Sequence, residues 1–265
     1  MRTRFAPTPS GYLHDGNLVN LLLICWLRDQ YQGELALRID NMDANRQRPE
    51  YLQDIFDNLA WFEVRWEIGP QCSADLDRGH DYGTWRDRAL ALCAPSRSHS
   101  ARGLRAFVCR CSRRELAASG SRSCTAGCAS ADLELVTDST CLRLQLPADL
   151  SDLGDPVIWR RDGVPAYHLA SVLRDEDLQV THVVRGEDLH EATQIQLVLA
   201  EALGANRVRR ATFLHHGLVR DASGGKLSKS TLAQGAPSVR SEERRAQIVA
   251  LATGLGEPLG ITPPR

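Results

Sequence analysis

Hydrophobic and polar positions near the N-terminus predict a strand, a turn and a buried helix. Arg4-Phe5-Ala6 forms the strand, which ends at Pro7 and Pro9, and the polar turn that follows contains Gly11 and Gly16. The residues after the turn are apolar on most sides of a helix, so this helix must be buried. Strand, turn and helix make the first half of a βαβ unit, and backbone N–H groups at such a helix start can hold phosphate. The apolar helix positions include Leu18, Leu21, Leu22, Cys25 and Trp26.

The alternation of strands and helices continues along the chain. Residues 34–40 predict the second, parallel strand, and Pro49 opens a helix that runs to Trp61. This order predicts an α/β fold with a Rossmann-type parallel sheet as a nucleotide-binding core. Further predictions are strands at 141–146, 180–184 and 211–219, a hairpin at 157–167, helices that begin at 167 and span 193–203, and a C-terminal helix that ends at about Thr253.

A change in composition divides the predicted core. Residues 93–105 are rich in Ser, Arg, Pro and Ala, which is typical of a boundary. We therefore expect the first half of the Rossmann core at 1–94, an insert with a cysteine cluster at 95–149, and the second half of the core at 150–205. A loop and a C-terminal helical segment complete the chain at 206–265.

Composition and charge narrow the function classes. The chain is 43% apolar and 25% charged with a formal net charge of −1, so it has no global basic field of the kind that binds nucleic acid, and RNA contacts must come from local arginine clusters. The longest apolar run, residues 18–27, contains Asn20 and is too short to span a bilayer, and the N-terminus lacks a signal-peptide pattern. We expect a cytoplasmic monomer with no membrane partner.

In that compartment, cysteines are reduced thiols or metal ligands rather than disulfides. Four of the eight cysteines follow the pattern C-x-C-x12-C-x3-C, which supplies the four thiolates of a closed tetrahedral zinc site. The alternative is four unrelated buried thiols, although this Ser/Gly-rich segment has little apolar mass to bury them. We read Cys25 and Cys93 as core thiols and leave Cys72 and Cys141 unassigned. The four candidate zinc ligands are Cys109, Cys111, Cys124 and Cys128.

The distribution of lysine points to a second candidate site. Only two of the 32 lysine and arginine residues are lysines, Lys226 and Lys229, and both lie in the Gly/Ser-rich loop 223–230. Lysine is a compact point charge, whereas arginine is a broad fork, so a site that places one small cation against a phosphate oxygen would keep lysine. The alternative is a flexible surface loop with two chance lysines.

Three separated stretches resemble the class I aminoacyl-tRNA synthetases. Residues 4–17, Arg-Phe-Ala-Pro-Thr-Pro-Ser-Gly-Tyr-Leu-His-Asp-Gly-Asn, resemble the HIGH signature of the glutamyl/glutaminyl branch, and Lys226-Leu-Ser-Lys-Ser230 resembles the KMSKS signature. Between them, residues 167–170 and 181–188 look like the amino-acid pocket of that branch. All three occur in order over most of the chain, which makes the resemblance specific.

The resemblance extends to the glutamyl-Q tRNA(Asp) synthetase family. Only residues 231–265 follow the lysine loop, too few for the anticodon-binding domain of a full glutamyl-tRNA synthetase, and the insert carries a cysteine cluster. The resemblance implies ATP-dependent activation of L-glutamate and its transfer to the queuosine base in the anticodon loop of tRNA(Asp). Two alternatives stay open: a glutamyl-adenylate-forming enzyme with another acceptor, and a non-catalytic paralogue that binds RNA or a nucleotide.

The resemblance also implies roles for particular residues on the ATP side. His14, Gly16 and Asn17 contact the ATP phosphates at the helix start, Mg²⁺ accompanies ATP, and Lys229, assisted by Lys226, stabilises the transferring phosphate region. Asp15 departs from the usually apolar second position of HIGH, and its charge would repel those phosphates. His14 has a plainer interpretation as a helix-capping histidine.

On the glutamate side, the resemblance places Arg4 and Arg185 on the two substrate carboxylates, because each guanidinium can fork onto one of them. Tyr167 offers a phenolic hydrogen bond. Asp40 stands where family members have the glutamate that binds the substrate ammonium. The plainer interpretations are surface ion pairs for the arginines and a core position for the tyrosine. The rest of the implied pocket is Phe5, Ala6, Pro7 and Thr8.

Overall fold

The computed structural model describes residues 1–42, 47–76, 82–94, 104–219 and 239–264, except for the side chain of Arg113. The chain falls into two compact units. Among the described residues, no helix combines the length and apolarity that crossing a membrane would require. Unit 1 comprises Met1–Arg78, Val180–His190 and Ala211–Arg265, and unit 2 comprises Gly79–Gln179 and Glu191–Arg210.

The predicted strands and helices occur in the predicted order, together with further elements that the sequence did not predict. The strands within the described ranges are β1 (Arg2–Phe5), β2 (Glu34–Leu37), β3 (Arg105–Cys109), β4 (Cys141–Gln145), β5 (Val157–Trp159), β6 (His182–Gly186) and β7 (Thr212–His216). The α-helices within the same ranges are α1 (Asp15–Gln30), α2 (Pro49–Trp61), α3 (Tyr82–Ala91), α4 (Arg113–Ala118), α5 (Tyr167–Asp177), α6 (His190–Leu203), α7 (Asn206–Arg210) and α8 (Glu242–Gly256).

Unit 1 contains parallel strand pairs with helices packed against them. β1 pairs in parallel with β2, and β6 pairs in parallel with β7. The Thr181 N–H donates to the Arg2 carbonyl at 2.9 Å, and the Arg2 N–H donates to Thr181 Oγ1 at 2.9 Å, so β6 runs beside β1. Helix α1 is buried continuously from residue 21 to residue 27 in a core that β1, β2, α2 and α8 share. The predicted α/β fold with parallel sheets is confirmed.

The ends of the elements in unit 1 differ from the prediction in instructive ways. β2 ends at Leu37, but its hydrogen bonding to the first strand continues through the Arg38 N–H to the Phe5 carbonyl. The predicted end of α8 at Thr253 is wrong, because the helix reaches Gly256. A Cβ atom on Gly256 would lie 2.6 Å from the Ile261 carbonyl oxygen, so the glycine permits close packing of the helix end rather than terminating the helix early.

Unit 2 contains an antiparallel sheet in the order β3-β4-β5. The register places Cys109 at the end of β3 opposite Cys141 at the start of β4. The predicted hairpin after β5 forms only one bridge, between Trp159 and Pro165, because the chain turns into helix α5 at Tyr167. In the same unit, the Glu176 carboxylate accepts hydrogen bonds from the first backbone N–H groups of α7.

Candidate active site and metal centre

The turn between β1 and α1 ends in a well-defined helix start. His14 occupies the N-cap position, and its N–H donates to Asn17 Oδ1 at 3.2 Å. The His14 carbonyl accepts from the backbone N–H groups of Asn17 at 2.8 Å and Leu18 at 3.2 Å. The N–H groups of Asp15 and Gly16, the first two residues of the helix, have no acceptor within the helix, and the helix dipole makes this end an anion site. The structure thus brings His14 and Asn17 together at a helix start suited to phosphate.

Gly16 permits the position of the His14 ring. A Cβ atom at residue 16 would lie 3.1 Å from both Cε1 and Nδ1 of His14, closer than most real contacts of a Cβ atom. Any side chain at this position would therefore push the imidazole away from the first turn of α1. Glycine at this position therefore leaves room for the His14 ring. The absence of a side chain also leaves the backbone N–H groups open to a phosphate.

Two acidic residues flank the His14 turn, and each is paired with an arginine from near the C-terminus. Asp54 Oδ2 accepts from the Leu13 N–H at 2.8 Å, while Asp54 Oδ1 lies 2.8 Å from Arg240 Nη2. Burial raises the pKa of the Asp54 carboxyl, although the Leu13 N–H and Arg240 act in the opposite direction. Asp15 Oδ1 accepts from Arg244 Nη2 at 2.6 Å and from Arg244 Nε at 3.0 Å.

The predicted glutamate arginines lie on neighbouring strands of unit 1. The exposed fraction is 6% for Arg4, on β1, and 3% for Arg185, on β6. The alternative that they are surface ion-pair residues is therefore wrong. The Arg185 guanidinium carbon lies 5.2 Å from the centre of the Phe213 ring, a cation–π contact. Buried guanidinium groups near the ends of parallel strands are placed where doubly wound sheets bind ligands.

Asp40 lies beside the predicted Phe5–Thr8 pocket wall, because its N–H donates to the Pro7 carbonyl at 3.0 Å. Both of its carboxylate oxygens accept from Arg38, with Nε at 2.8 Å from Oδ1 and Nη2 at 2.9 Å from Oδ2. Both side chains are buried. Asp40, whose side chain is one methylene shorter than the glutamate of family members, thus forms a bidentate pair with Arg38. The sequence did not suggest this contact. Its predicted role with the substrate ammonium stays a prediction.

A pair of stacked histidines, one at the start of α6 and one at the end of β7, was not identified as a candidate site from the sequence. The rings of His190 and His215 stack with their centres 3.8 Å apart. Burial lowers the pKa of His215 to about 4, with further lowering by His190, Arg185 and His216. His216 is buried, and its Nδ1 lies 2.7 Å from the Gly217 carbonyl oxygen. The sequence signal that could have identified this site is His215 followed by His216 at the C-terminal end of a predicted strand, because ligands bind at that end of the strands in parallel sheets.

The remaining predicted site residues are Tyr167, Lys226 and Lys229. Tyr167 is the first residue of α5, in unit 2, and its exposed fraction of 40% rules out the alternative of a core tyrosine. Its predicted hydrogen bond to glutamate stays a prediction. Lys226 and Lys229 lie outside the described residues, so their predicted roles also stay predictions.

The four cysteines of the insert form one cluster in unit 2. Their sulfur atoms all lie within 4.8 Å of one another, with Cys111 Sγ at 3.7 Å from Cys124 Sγ and at 3.8 Å from Cys128 Sγ. Sulfurs placed tetrahedrally ~2.3 Å from a zinc ion are about 3.8 Å apart. The spacing therefore fits one tetrahedral metal ion, and these four cysteines could hold it: Cys109, Cys111, Cys124 and Cys128.

Electrostatics and hydrogen bonds around the cluster also suit a cation. Burial raises the pKa of Cys111 to about 11 and raises that of Cys109 further, so without a positive ion these two sulfurs stay protonated at neutral pH. Burial opposes ionisation of Cys124 too, but the N–H groups of Cys128 and Ala126 bring its pKa below the usual value. N–H groups that point at sulfur favour thiolate ligands.

A surrounding layer holds the loops that carry the cysteines. The Cys124 N–H donates to Asp155 Oδ2 at 2.8 Å, and buried Arg143 donates to the Asp155 carbonyl at 2.7 Å. Cys141 is buried beside the cluster, where its sulfur donates to the Cys109 carbonyl at 3.4 Å. Gly127 adopts a left-handed φ of 68° before Cys128, which lets the loop turn back.

The remaining cysteines divide as their burial indicates. Cys25 is a core thiol on α1, and burial raises its pKa to about 12, so the prediction is confirmed. Cys93 was also predicted to be a core thiol, but it is only half-buried, although burial raises its pKa. Cys72 is exposed.

Comparison with known proteins identifies the family. A family model described as tRNA synthetases class I (E and Q), catalytic domain, matches residues 1–132 and 132–248. The chain is 38% identical to a glutamyl-Q tRNA(Asp) synthetase of Parasynechococcus marenigrum, over 96% of this chain and 83% of that protein. It is 34% identical to glutamate–tRNA ligase 2 of Gluconobacter oxydans, over 86% of this chain and 55% of that protein.

A solved structure supports the fold independently. The crystal structure of a glutamate-tRNA synthetase from Elizabethkingia anophelis aligns with a TM-score of 0.68 and 23% identity, over 87% of this chain and 52% of that chain. The chain belongs to the class I tRNA synthetases of the glutamyl and glutaminyl branch, and it is a ligase of the glutamyl-tRNA synthetase type.

Proposed function

We propose that the chain activates L-glutamate with ATP and transfers the glutamyl group to the queuosine base in the anticodon loop of tRNA(Asp). The observation that carries the acceptor is the match to relatives that bear this activity in their names. The alignment covers 83% of two glutamyl-Q tRNA(Asp) synthetases, at 38% and 36% identity, but 50–56% of the glutamate–tRNA ligases.

In the first step a glutamate carboxylate oxygen attacks the α-phosphorus of ATP, the bond to the bridging oxygen breaks, and pyrophosphate leaves. Charge grows on the phosphoryl oxygens, so fixed donors and cations lower the barrier. The first turn of α1 supplies backbone N–H groups, and Gly16 keeps their approach open. Asn17 Oδ1 is used by the His14 N–H, so the Asn17 amide nitrogen is the group left to contact a phosphate.

The cations of this step are Mg²⁺ and lysine. Mg²⁺ enters bound to the ATP phosphates and neutralises part of their charge. Lys229, with Lys226, stabilises the negative charge that moves onto the leaving pyrophosphate.

Glutamate binding is proposed for the strand ends of unit 1. Arg4 and Arg185 are buried guanidinium groups, and a bidentate contact with a carboxylate repays the desolvation of both partners. Asp40 adds a carboxylate beside Pro7 for the substrate ammonium, with Arg38 fixing its orientation. In the second step a hydroxyl of the queuosine cyclopentene ring attacks the glutamyl carbonyl of the adenylate, and AMP leaves.

We propose zinc for the cysteine cluster, in a structural role. Four sulfurs at tetrahedral spacing leave no open coordination position for substrate, which is typical of a structural site. The ion would supply the positive charge that lets the Cys109 and Cys111 thiols ionise, and it would join β3 to the 124–128 loop. The monomeric state also stays a prediction.

The acceptor is tested with labelled glutamate, ATP and three RNAs: tRNA(Asp) with queuosine, tRNA(Asp) without it, and tRNA(Glu). Label should enter only the first RNA, and it should survive removal of the 3′-terminal adenosine because the proposed attachment is in the anticodon loop. Charging of tRNA(Glu), or equal labelling of both forms of tRNA(Asp), would refute the acceptor.

Pyrophosphate exchange separates the alternatives from one another. Exchange that depends on glutamate, with no RNA labelled, would indicate a glutamyl-adenylate-forming enzyme with another acceptor. No exchange in the presence of glutamate, ATP and Mg²⁺ would instead indicate a paralogue that binds RNA or a nucleotide without catalysis.

A further inference from the structure

Asp15 presents an electrostatic conflict at the start of α1. It is the first residue of the helix, next to His14. A carboxylate in the first turn stabilises a helix through its dipole. The same carboxylate repels an anionic ligand at that helix end, and at a separation of about 7 Å the repulsion from one phosphate charge weakens affinity by a factor between about 3 in bulk water and about 50 near a protein surface. The helix and its proposed ligand therefore make opposite demands on this residue.

Arg244 is placed to remove this conflict. Its Nε and Nη2 both donate to Asp15 Oδ1, at 3.0 Å and 2.6 Å, so the carboxylate is directly opposed by a guanidinium charge. The pair is only partly open to water, with side-chain exposure of 15% for Arg244 and 35% for Asp15. Partial burial strengthens the interaction relative to a surface ion pair.

The guanidinium of Arg244 is held independently of Asp15. Its carbon lies 5.6 Å from the centre of the Trp61 ring, and Nη1 donates to the Val239 carbonyl at 3.1 Å. Its backbone N–H donates to Ser241 Oγ, which caps α8. Because these contacts orient the side chain in advance, little conformational entropy is lost in the pairing.

The acid on the other side of His14 is matched in the same way. Asp54 accepts from the Leu13 N–H and is paired with Arg240, two residues before the start of α8. Both acids that contact or flank the phosphate-binding turn are therefore paired with arginines of residues 240–244.

We propose that Arg244 is a positioning residue that masks the charge of Asp15, so that the start of α1 keeps both a dipole-stabilising carboxylate and its affinity for ATP. This inference rests on the proposed ATP site. It predicts that the damage done by losing Arg244 comes from the exposed carboxylate and not from the lost contact itself.

The test compares Arg244→Ala, Asp15→Asn and the double variant in pyrophosphate exchange and in direct ATP titration. Arg244→Ala should raise the KM for ATP about tenfold with kcat and the KM for glutamate within about twofold, because ground-state and transition-state phosphates are repelled alike. The defect should shrink as salt is added. Asp15→Asn alone should bind ATP as well as the wild type or better, and adding it to Arg244→Ala should restore the KM to within about twofold.

Arg245→Ala is the matched control. Arg245 is on the same helix, and its guanidinium carbon lies 5.8 Å from the centre of the neighbouring Phe62 ring, a contact like that of Arg244 with Trp61. This variant should leave the KM for ATP unchanged.

Three results would overturn the inference. If the double variant is as impaired as Arg244→Ala, or if Asp15→Asn is equally impaired, the pair is a structural tie. Failure of the proposed function has a different signature, in which the wild type makes no glutamyl-adenylate. ATP titration can then still compare the affinities of the wild type, the two single variants and the double variant. If all four bind ATP equally, or none of them binds it, the masking role is rejected.

Discussion

In unit 1, the candidate site lies where parallel strands end and α1 begins, and it consists of backbone N–H groups, buried arginines and paired acids. In unit 2, the candidate centre consists of four sulfur atoms within 4.8 Å of one another at the edge of an antiparallel sheet. The first has its charges matched within the chain, as Asp15 with Arg244 and Asp40 with Arg38 show. In the second, burial opposes ionisation of the Cys109 and Cys111 thiols by raising their pKa, so these two need an added cation to bind as thiolates.

This difference separates stability from catalysis. Unit 1 has a large apolar core around α1, so its fold does not need a ligand. The cysteine cluster of unit 2 has few apolar neighbours, among them Phe107, Leu116, Leu133 and Val157. A segment with so little apolar surface to bury gains stability from a metal. Damage to the cysteines should therefore unfold structure, whereas damage to unit 1 site residues should change rates and affinities.

The largest effect is expected from Cys109→Ser. Loss of one of four ligands should abolish binding of about one zinc ion per chain and lower the free energy of unfolding of unit 2 by roughly 5 kcal/mol or more. Metal analysis and hydrogen exchange measure this, with slow amides in β1 and α1 expected to keep their protection.

Cys141→Ala is the control, since Cys141 is also buried and contacts Cys109 but lies outside the group of four. It should retain the metal. A Cys109→Ser protein with a full complement of zinc, or a metal-free wild type with folded unit 2, would contradict the structural role.

The next effect is on rate. Lys229→Ala should slow glutamyl-adenylate formation on the order of 100-fold or more while glutamate affinity changes little, because the lysine acts as charge moves in the transition state. Lys229→Arg should also be slow, since a planar fork does not replace a point charge. Single-turnover measurements of adenylate formation give the rate, and an arginine variant with wild-type activity would remove the argument for lysine.

Asp40→Asn sharpens the description of the glutamate site. If Asp40 receives the ammonium, glutamate affinity should fall about 10- to 100-fold, the usual value of a charged hydrogen bond, with ATP affinity unchanged. Calorimetric titration with each ligand distinguishes the two. Unchanged glutamate affinity would assign Asp40 to the orientation of Arg38 alone.

The smallest effect concerns pH and His215. Its folded-state pKa of about 4 lies below its ordinary value of 6.5, so the folded protein binds fewer protons than the unfolded chain between these values. Its contribution to stability is complete above about pH 6.5 and is lost as the pH falls toward 4. Because the ring is partly exposed, we expect about 1 kcal/mol.

Urea unfolding of the wild type and His215→Gln at pH 7 and pH 4.5 measures this term. The wild type should lose about 1 kcal/mol more than the variant on acidification. Equal losses would show that titration of His215 makes no contribution to the pH dependence of stability.

Local patterns predicted much of the fold and the composition of the metal centre. The helix α2 begins at Pro49 and ends at Trp61 as the periodicity indicated, and the spacing of four cysteines predicted their cluster. In each case the signal lies within one short segment of the chain. The periodicity of a helix involves residues three or four apart, and the four cysteines all lie within residues 109–128.

Contacts between distant segments were not predictable in the same way. Nothing in the HIGH-like stretch indicates that Asp15 meets Arg244, 229 residues later, because a surface arginine has no periodic signature. Similarly, Asp40 was read from its motif, whereas its bidentate partner Arg38 emerges only from side-chain geometry. These charge pairings set the electrostatics of the site, so the sequence could identify candidate residues but not the charges that surround them.

Mass spectrometry of the anticodon-loop nucleosides of tRNA(Asp) tests the central claim most directly. After incubation with this protein, glutamate, ATP and Mg²⁺, the queuosine nucleoside should increase in mass by one glutamyl residue, and the 3′-terminal adenosine should be unchanged. An unmodified queuosine together with a glutamylated 3′ end would contradict the account.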